Sequence, residues 1–442
     1  MRIFGDSVSS HPRSTSSHHA PTARAGIKAP PVDLPEKLQK AWAMYSPYFS
    51  SGEYVDPPAG CVVSQVNLIQ RHGARFPTKG SGTKIASAVT KLSAVKEYNN
   101  EKLDFLHNFT YTLGKDDLIP FGAAQSFDAG GVEYHRYSVL VSESSVPFVR
   151  AASSQRVVDT ATNWTAGFAN ASMRKFVPKL DLIISEEGNV TLDDSMCPNA
   201  GDSDVQTDEW LAIFAPPITK RLNGWAPGAN LTDMDAYSLI SLCPFHTLYE
   251  GSPSPFCNLF TLSEFEQFAY SGDLSKYYGT GYGQKLGPVQ GVGYINELLA
   301  RLTNKPVQDN TQTNRTLDSS PTTFPLNRTF YADFSHDNEM IAIYSALGLF
   351  NQSKPLDPMN PEHKRTWITW KLVPFSARMV VERVQCDQDA SLFIRIFVND
   401  ALQPLEFCDG ATETGLCALD QFVASQGYAI NDGEGDWEKC LD

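Results

Sequence analysis

Positive charge is scarce in this chain. Its 442 residues carry 36 Lys and Arg against 50 Asp and Glu, for a formal net charge of −14. A broad basic face for nucleic acid is thereby excluded. No apolar run reaches the length a transmembrane helix needs, so no membrane partner is expected. The cysteines never fall in a Cys-x-x-Cys spacing, which removes the common zinc frameworks. Neither Gly-x-Ser-x-Gly nor His-Glu-x-x-His occurs, so serine-hydrolase and zincin chemistry has no anchor. Glycines cluster at 279, 281, 283, 287, 291 and 293. They complete no Gly-x-Gly-x-x-Gly and precede no Gly-Lys-Ser/Thr, and they read as a loop leading into a helix over Tyr294–Leu302. The first 30 residues are rich in Ser, His, Pro and Arg and lack an apolar signal core. Residues 1–34 are read as a disordered leader or pro-segment, and His18 and His19 receive no role.

What is present is a hydrophobic fraction of 42%, enough for one large domain or two smaller ones. There are eight cysteines, an even number. Asn108, Asn163, Asn170, Asn189, Asn230, Asn314, Asn327 and Asn351 each begin an Asn-x-Ser/Thr sequon. Together these features favour an oxidising secretory route, so the protein is expected outside the cell although no signal peptide is visible. Spacing alone leaves the cysteine pairing open.

One segment carries the chemistry. Arg71-His72-Gly73-Ala74-Arg75-Phe76-Pro77 sets an imidazole between two guanidinium groups at the end of the apolar run Val62–Ile69. Arginine holds phosphate oxygens with two parallel hydrogen bonds and keeps its charge. A histidine kept neutral there is a nucleophile aimed at phosphorus. The glycine is expected to let the backbone approach the phosphate.

The same unit recurs twice. Val146–Val149 is a short apolar run ending at Arg150, followed by a helical pattern of Val157, Val158, Ala161 and Trp164. Phe330–Phe334 ends at His336-Asp337, followed by Met340, Ile341, Tyr344 and Leu347 at helical spacing. Strand, polar residues, helix is the pattern each time. In an open α/β sheet such strand ends line up along one edge, beside helix N-termini. Leu182–Ile184, Met379–Val384 and Leu392–Val398 are further predicted strands. Ile85, Val89, Leu92 and Val95 predict a helix after the first motif. Between 187 and 285, helical patterns such as Asp235–Leu242 and Ser263–Tyr270 dominate.

These residues resemble the histidine acid phosphatases. Arg-His-Gly-x-Arg-x-Pro, Ser335-His336-Asp337-Asn338 and the stretch Phe148 to Arg156 match that family's elements from about Cys61 to Cys440. Lys276-Tyr277-Tyr278-Gly279 and Leu286–Tyr294 resemble its fungal phytase branch, and the run through Asn314 and Asn327 looks most like basidiomycete phytases. The resemblance implies a three-layer α/β domain over 35–186 and 286–442, with a smaller helical domain inserted at 187–285. It implies the disulfides Cys61–Cys386, Cys197–Cys440, Cys243–Cys257 and Cys408–Cys417.

The implied reaction is hydrolysis of phosphomonoesters, with myo-inositol hexakisphosphate as substrate and first attack at the 6-position. His72 would be the nucleophile and Asp337 the acid. Arg71, Arg75, Arg150 and His336 would hold the phosphoryl oxygens. Three guanidiniums would do the work often given to a metal, so no metal and no cofactor are expected, and the protein is expected to be a monomer. Lys276 is the candidate for distal phosphates, with Lys79 behind it. Ser275 stands where some fungal relatives have a second basic residue. Arg156 is assigned to structural pairing, and His107, His135, His246 and His363 have no accompanying motif. The rival readings are a broad-specificity acid phosphatase and, more remotely, an inactive secreted anion-binding glycoprotein.

Overall fold

The computed structural model describes residues 31–362, 364–386, 391–412 and 414–441. Most of the leader, with His18 and His19, lies outside the described residues, as does His363.

Among the described residues eight strands form one sheet: β1 Cys61–Arg71, β2 Phe148–Ala152, β3 Leu180–Ile184, β4 Phe330–Ser335, β5 Arg378–Cys386, β6 Ser391–Val398, β7 Ala401–Leu402 and β8 Cys417–Ala418. The order is β3-β2-β4-β1-β5-β6-β7, with β8 also paired to β6. β3, β2, β4 and β1 run parallel, while β5 and β6 return antiparallel. The helices used below are α1 Glu36–Lys40, α2 Lys79–Ser93, α3 Pro120–Tyr137, α4 Gln155–Ala171, α5 Asp204–Trp225, α6 Asp233–Glu250, α7 Leu262–Gly279, α8 Val292–Thr303, α9 Arg315–Asp318 and α10 Asp337–Leu347.

Alternation along β4 explains the layers. Every residue of β4 is buried. Phe330 and Phe334 meet Trp164 of α4, with ring centroids 6.0 and 5.8 Å apart. Asp333, on the opposite face, takes Arg301 of α8 at 2.6 Å. Helices therefore cover both faces, one lined by Phe330, Ala332 and Phe334 and the other by Tyr331, Asp333 and Ser335. The expected α/β class holds.

The second apolar run corrects a boundary. β2 does not end at Arg150 but continues through Ala151 and Ala152. Arg150 is thus an interior strand residue, paired in register with Asp333. From 187 to 285 the long elements are helices: α5, α6 and α7. Capping boxes fix the starts of α6, at Thr232 and Asp235, and of α7, at Thr261 and Glu264.

The four disulfides pair as the resemblance implied. Among the described residues no helix is long and apolar enough to cross a membrane.

One sequon is corrected. Asn163 lies inside α4, 2% exposed, and its amide donates to the Asp159 carbonyl at 2.8 Å. A glycan there would have to displace the core. Asn108, Asn170, Asn189, Asn230, Asn327 and Asn351 are exposed. Mass-spectrometric mapping of protein secreted from a eukaryotic host should find the Asn163 peptide unmodified. A glycan on Asn163 in folded protein would contradict this placement.

Candidate active site

β1 and β4 end side by side, with Arg71 in register with Ser335. The next residue of each is a histidine. The His72 amide donates to the Ser335 carbonyl at 3.0 Å, and the Ser376 amide donates to the His72 carbonyl at 3.1 Å. The two imidazoles meet edge to face, 5.7 Å between centroids. His336 caps the start of α10, so Asp337 is its first residue.

His72 is 1% exposed. Its Nδ1 lies 2.9 Å from the Gly73 carbonyl oxygen. That oxygen can only accept, so Nδ1 carries the proton and Nε2 keeps its lone pair. Burial first, then the guanidiniums of Arg71, Arg75 and Arg156, hold the imidazole well below its ordinary pKa. A neutral, oriented imidazole results.

Gly73 serves packing rather than phosphate approach, which corrects the expectation. A Cβ there would sit 2.6 Å from the Gly122 carbonyl oxygen at the start of α3. Its amide donates to Thr160 Oγ1 of α4 at 2.9 Å, so the loop is clamped between two helices.

Arg71 is fully buried. Its Nη1 donates to the carbonyls of Met44 and Val373, both at 2.6 Å, and its Nη2 is 2.9 Å from Asp337 Oδ2. Burial lowers its pKa to about 10, which still leaves it charged. Lys276 Nζ lies 3.0 Å from the same Asp337 oxygen and 2.5 Å from Asn338 Oδ1. Burial alone would raise the Asp337 carboxyl, but Arg71, Lys276 and the His72 and Arg75 side chains pull it well below the carboxylate range. Lys276 therefore stands against Asp337 and not at a distal wall, a second correction. Lys79 is exposed at the start of α2.

Arg150 does not join this group. Nε donates to Asp333 Oδ1 at 2.8 Å, and Nη1 and Nη2 reach Glu297 at 3.2 and 2.6 Å. All three nitrogens are spent below the strand end. Burial would lower its pKa, but the two carboxylates raise it well above normal, marking a buried ion pair.

Arg156 takes the place expected for Arg150. It lies in the first turn of α4, with Nη2 3.2 Å from His336 Nδ1. The guanidinium donates, so His336 Nδ1 accepts and Nε2–H points to Glu186 Oε1 at 3.0 Å. Glu186 follows β3 and also takes the Ser154 amide and hydroxyl at 2.8 and 2.7 Å. Burial opposes its charge, yet these bonds bring its pKa down to about 2. Two alanines after Arg150 were the available sign that the strand ran on and that the edge arginine came later.

Glu186, Asp193 and His336 are the one set among the described residues whose ligand atoms lie close enough to share a metal ion. Their hydrogen bonds already account for the arrangement as an orienting shell for His336.

A cleft of about 350 Å³ opens beside Tyr45, between α2 and helices α5 to α7. Six serines line it, with Asp204, Asp208 and one cation, Lys84. Lys84 is a lining cation that sequence reading did not single out; it is exposed on α2, flanking the face that buries Ile85 and Val89.

The profile of the histidine phosphatase superfamily, branch 2, matches residues 62–399. The chain is 41% identical to a phytase A of Aspergillus oryzae over 423 residues, 90% of each sequence. It is 38% identical to a phytase A of Aspergillus fumigatus over 465 aligned positions, covering 99% of this chain and 97% of that one. Among solved structures, the phytase from D. castellii superposes with a TM-score of 0.74 at 23% identity, covering 89% of this chain and 85% of that one. A Bifidobacterium longum multiple inositol polyphosphate phosphatase superposes with a TM-score of 0.64 at 12% identity, covering 86% and 96%. These two show the shared fold.

The two arginines should separate by urea denaturation. Arg150→Met removes the charged partner of Glu297 and leaves Asp333 with Arg301 alone, and should cost about 3–5 kcal/mol. Arg156→Met should cost less than about 1 kcal/mol. Equal losses would contradict the division between pairing and site.

Proposed function

The chain belongs to the histidine phosphatase superfamily, branch 2, and from that membership we propose that it is a secreted phytase. It is a phosphoric monoester hydrolase that removes phosphate from myo-inositol hexakisphosphate through a phosphohistidine. The observation that carries this reading is His72, a buried neutral imidazole with Nδ1 committed to Gly73, beside Arg71, Arg75 and Arg156.

The His72 Nε2 lone pair attacks phosphorus. As the N–P bond forms, the ester P–O bond breaks, and the leaving oxygen takes a proton from Asp337. Water then attacks the phosphohistidine, gives a proton to Asp337, and the N–P bond breaks. Arg71, Arg75, Arg156 and His336 hold the phosphoryl oxygens and meet the charge that develops on them. No metal or organic cofactor is required, because guanidiniums supply the positive field. The enzyme works as a monomer, without nucleic acid or membrane partners.

Asp337 is ionised in the free site, since Arg71 and Lys276 hold its pKa down. An acid must acquire its proton, and the substrate can bring it. A phosphomonoester is singly protonated below a second pKa of about 6. Binding a dianion would also offset Arg71 and Lys276 and raise the Asp337 pKa.

The α5–α7 region, 187–285, forms the helical insert that walls the cleft, with 35–186 and 286–442 as the catalytic unit. Four disulfides and the exposed sequons support secretion. First attack at the 6-position rests on likeness to basidiomycete phytases, and NMR of the first pentakisphosphate tests it. A second reading, a broad-specificity acid phosphatase, is favoured by the cleft, where Lys84 is the one cation among the lining residues.

Phosphate release from wild-type protein should fall about a thousandfold or more in His72→Ala. Wild type without release would sink the enzyme reading. Asp337→Asn should slow alkyl esters such as phytate about 100-fold more than p-nitrophenyl phosphate, whose leaving group needs no proton. Equal slowing would remove the acid assignment. Above about pH 6, kcat/KM should drop roughly tenfold per pH unit as the substrate loses its proton. Because the His72 pKa is depressed, mild acid should leave the nucleophile unprotonated. A profile rising through pH 8 would contradict both statements.

A further inference from the structure

The cleft does not stop at its serine wall. Ser203 and Ser275 line both the outer cavity and a second one of about 300 Å³. This inner arm reaches Asn338, the residue after Asp337, whose Oδ1 already takes Lys276. The arm thus opens at the residue next to the proposed acid.

Its lining is unlike a phosphate pocket. Asp194, Asp202, Thr280, Gln290 and Asn338 supply the polar groups, and no Lys or Arg lines it among the described residues. The nearest ammonium, Lys276, is spent on Asp337 and Asn338. A phosphate entering here would face the Asp194 and Asp202 carboxylates with no cation in the lining to receive it.

One group in the arm is unpaid. Thr280, just past the end of α7, is 6% exposed, and its hydroxyl has no hydrogen-bond partner. A buried hydroxyl left unpaired costs stability, so a partner from a ligand is the natural complement. Carboxylate and amide oxygens accept from O–H groups, and a threonine hydroxyl both donates and accepts. Such a wall recognises hydroxyl groups.

We propose that the inner arm is a polyol subsite, in which Asp194 and Thr280 hydrogen-bond free hydroxyls on the alcohol half of the substrate, next to the phosphate being cleaved. The inference rests on the phosphatase reading above and adds a substrate preference to it. Partly dephosphorylated inositols and other polyol monophosphates fill the arm. A phosphate at that position is disfavoured.

The charge on Asp194 sets how strongly. Burial and the neighbouring Asp193 carboxylate raise its pKa to about 6, with Lys276 and His336 opposing and Asp337 adding to the rise. Glu339 of α10 also faces it, itself buried and pushed well above the carboxylate range. Above pH 6 the Asp194 carboxylate is charged and repels a phosphate; below it the group takes a proton and the repulsion fades.

The test compares kcat/KM for myo-inositol hexakisphosphate, a myo-inositol monophosphate and p-nitrophenyl phosphate. Wild type, Asp194→Asn, Thr280→Val and Thr280→Ser are assayed at pH 5 and pH 7. Relative to p-nitrophenyl phosphate, Thr280→Val should lose about tenfold on the monophosphate, and Thr280→Ser should restore most of it. Asp194→Asn should gain about tenfold on the hexakisphosphate at pH 7 and less than about threefold at pH 5. If both ratios stay within about twofold of wild type, or move together in one direction, the subsite is overturned. Should Thr280→Val fail to fold, the Asp194→Asn ratios decide alone. Wild type that cleaves none of the three substrates overturns the phosphatase reading itself, and the subsite with it.

Discussion

A guanidinium with no solvent contact has to be answered by the protein from several directions at once. Arg71 is that group here. Its nitrogens hold the Met44 and Val373 carbonyls and the Asp337 carboxylate, while its planar face lies 4.7 Å from the Phe375 ring. Three segments far apart in sequence, at Met44, Asp337 and Val373–Phe375, are thereby drawn to the end of β1. Removing a charge from water is expensive, so the site's geometry is not adjustable piece by piece. Each partner that drifts leaves a buried charge uncompensated. The depressed pKa values of His72 and Asp337 follow from the same crowding. One group is kept from gaining a proton and the other from holding one.

The local field opposes the global one. The protein carries a net charge of −14, yet Arg71, Arg75 and Arg156 converge at one sheet edge. Low-dielectric walls let such a cluster act over short range despite the acidic surroundings. Elsewhere buried arginines are neutralised where they stand, as Arg150 and Arg301 are by Asp333 and Glu297. Arginine in this fold thus has two fates, and burial does not distinguish them. Arg150 spends all three nitrogens on carboxylates, whereas Arg71 gives Nη1 to backbone carbonyls and only Nη2 to a carboxylate.

That distinction marks how much was legible in the sequence. Apolar runs of four to eight residues located β1, β2 and β4 and the edge where they end, because strands buried on both faces leave continuous apolar text. His72, Arg75, His336 and Asp337 follow directly from those ends. Arg150 and Arg156 were exchanged, because a one-dimensional reading sees an arginine after an apolar run but not the Asp333 and Glu297 that consume it. Lys276 was placed at a distal wall because spacing says nothing about where a long side chain folds back. Lys84 went unnoticed for the opposite reason, as an unremarkable lysine on the polar face of a helix. Asn163 matched a sequon pattern that carries no information on burial, and Gly73 was explained by the ligand when the neighbouring helix required it. Apolar strand runs are written locally, whereas cysteine pairing across 325 residues and the sharing of charge among distant residues are not.

The order of the sheet has a consequence for how the protein is made. β1 emerges early, yet its two neighbours are β4, beginning at Phe330, and β5, beginning at Arg378. The bond that locks its far end joins residues 325 positions apart. At ribosomal speeds of about 5–20 residues per second, the strand waits on the order of half a minute for its partners. Throughout that interval an apolar strand with two open edges must be kept from pairing with other chains. A chain released before residue 378 does not carry a weakened pocket; it carries a central strand with one side permanently unpaired.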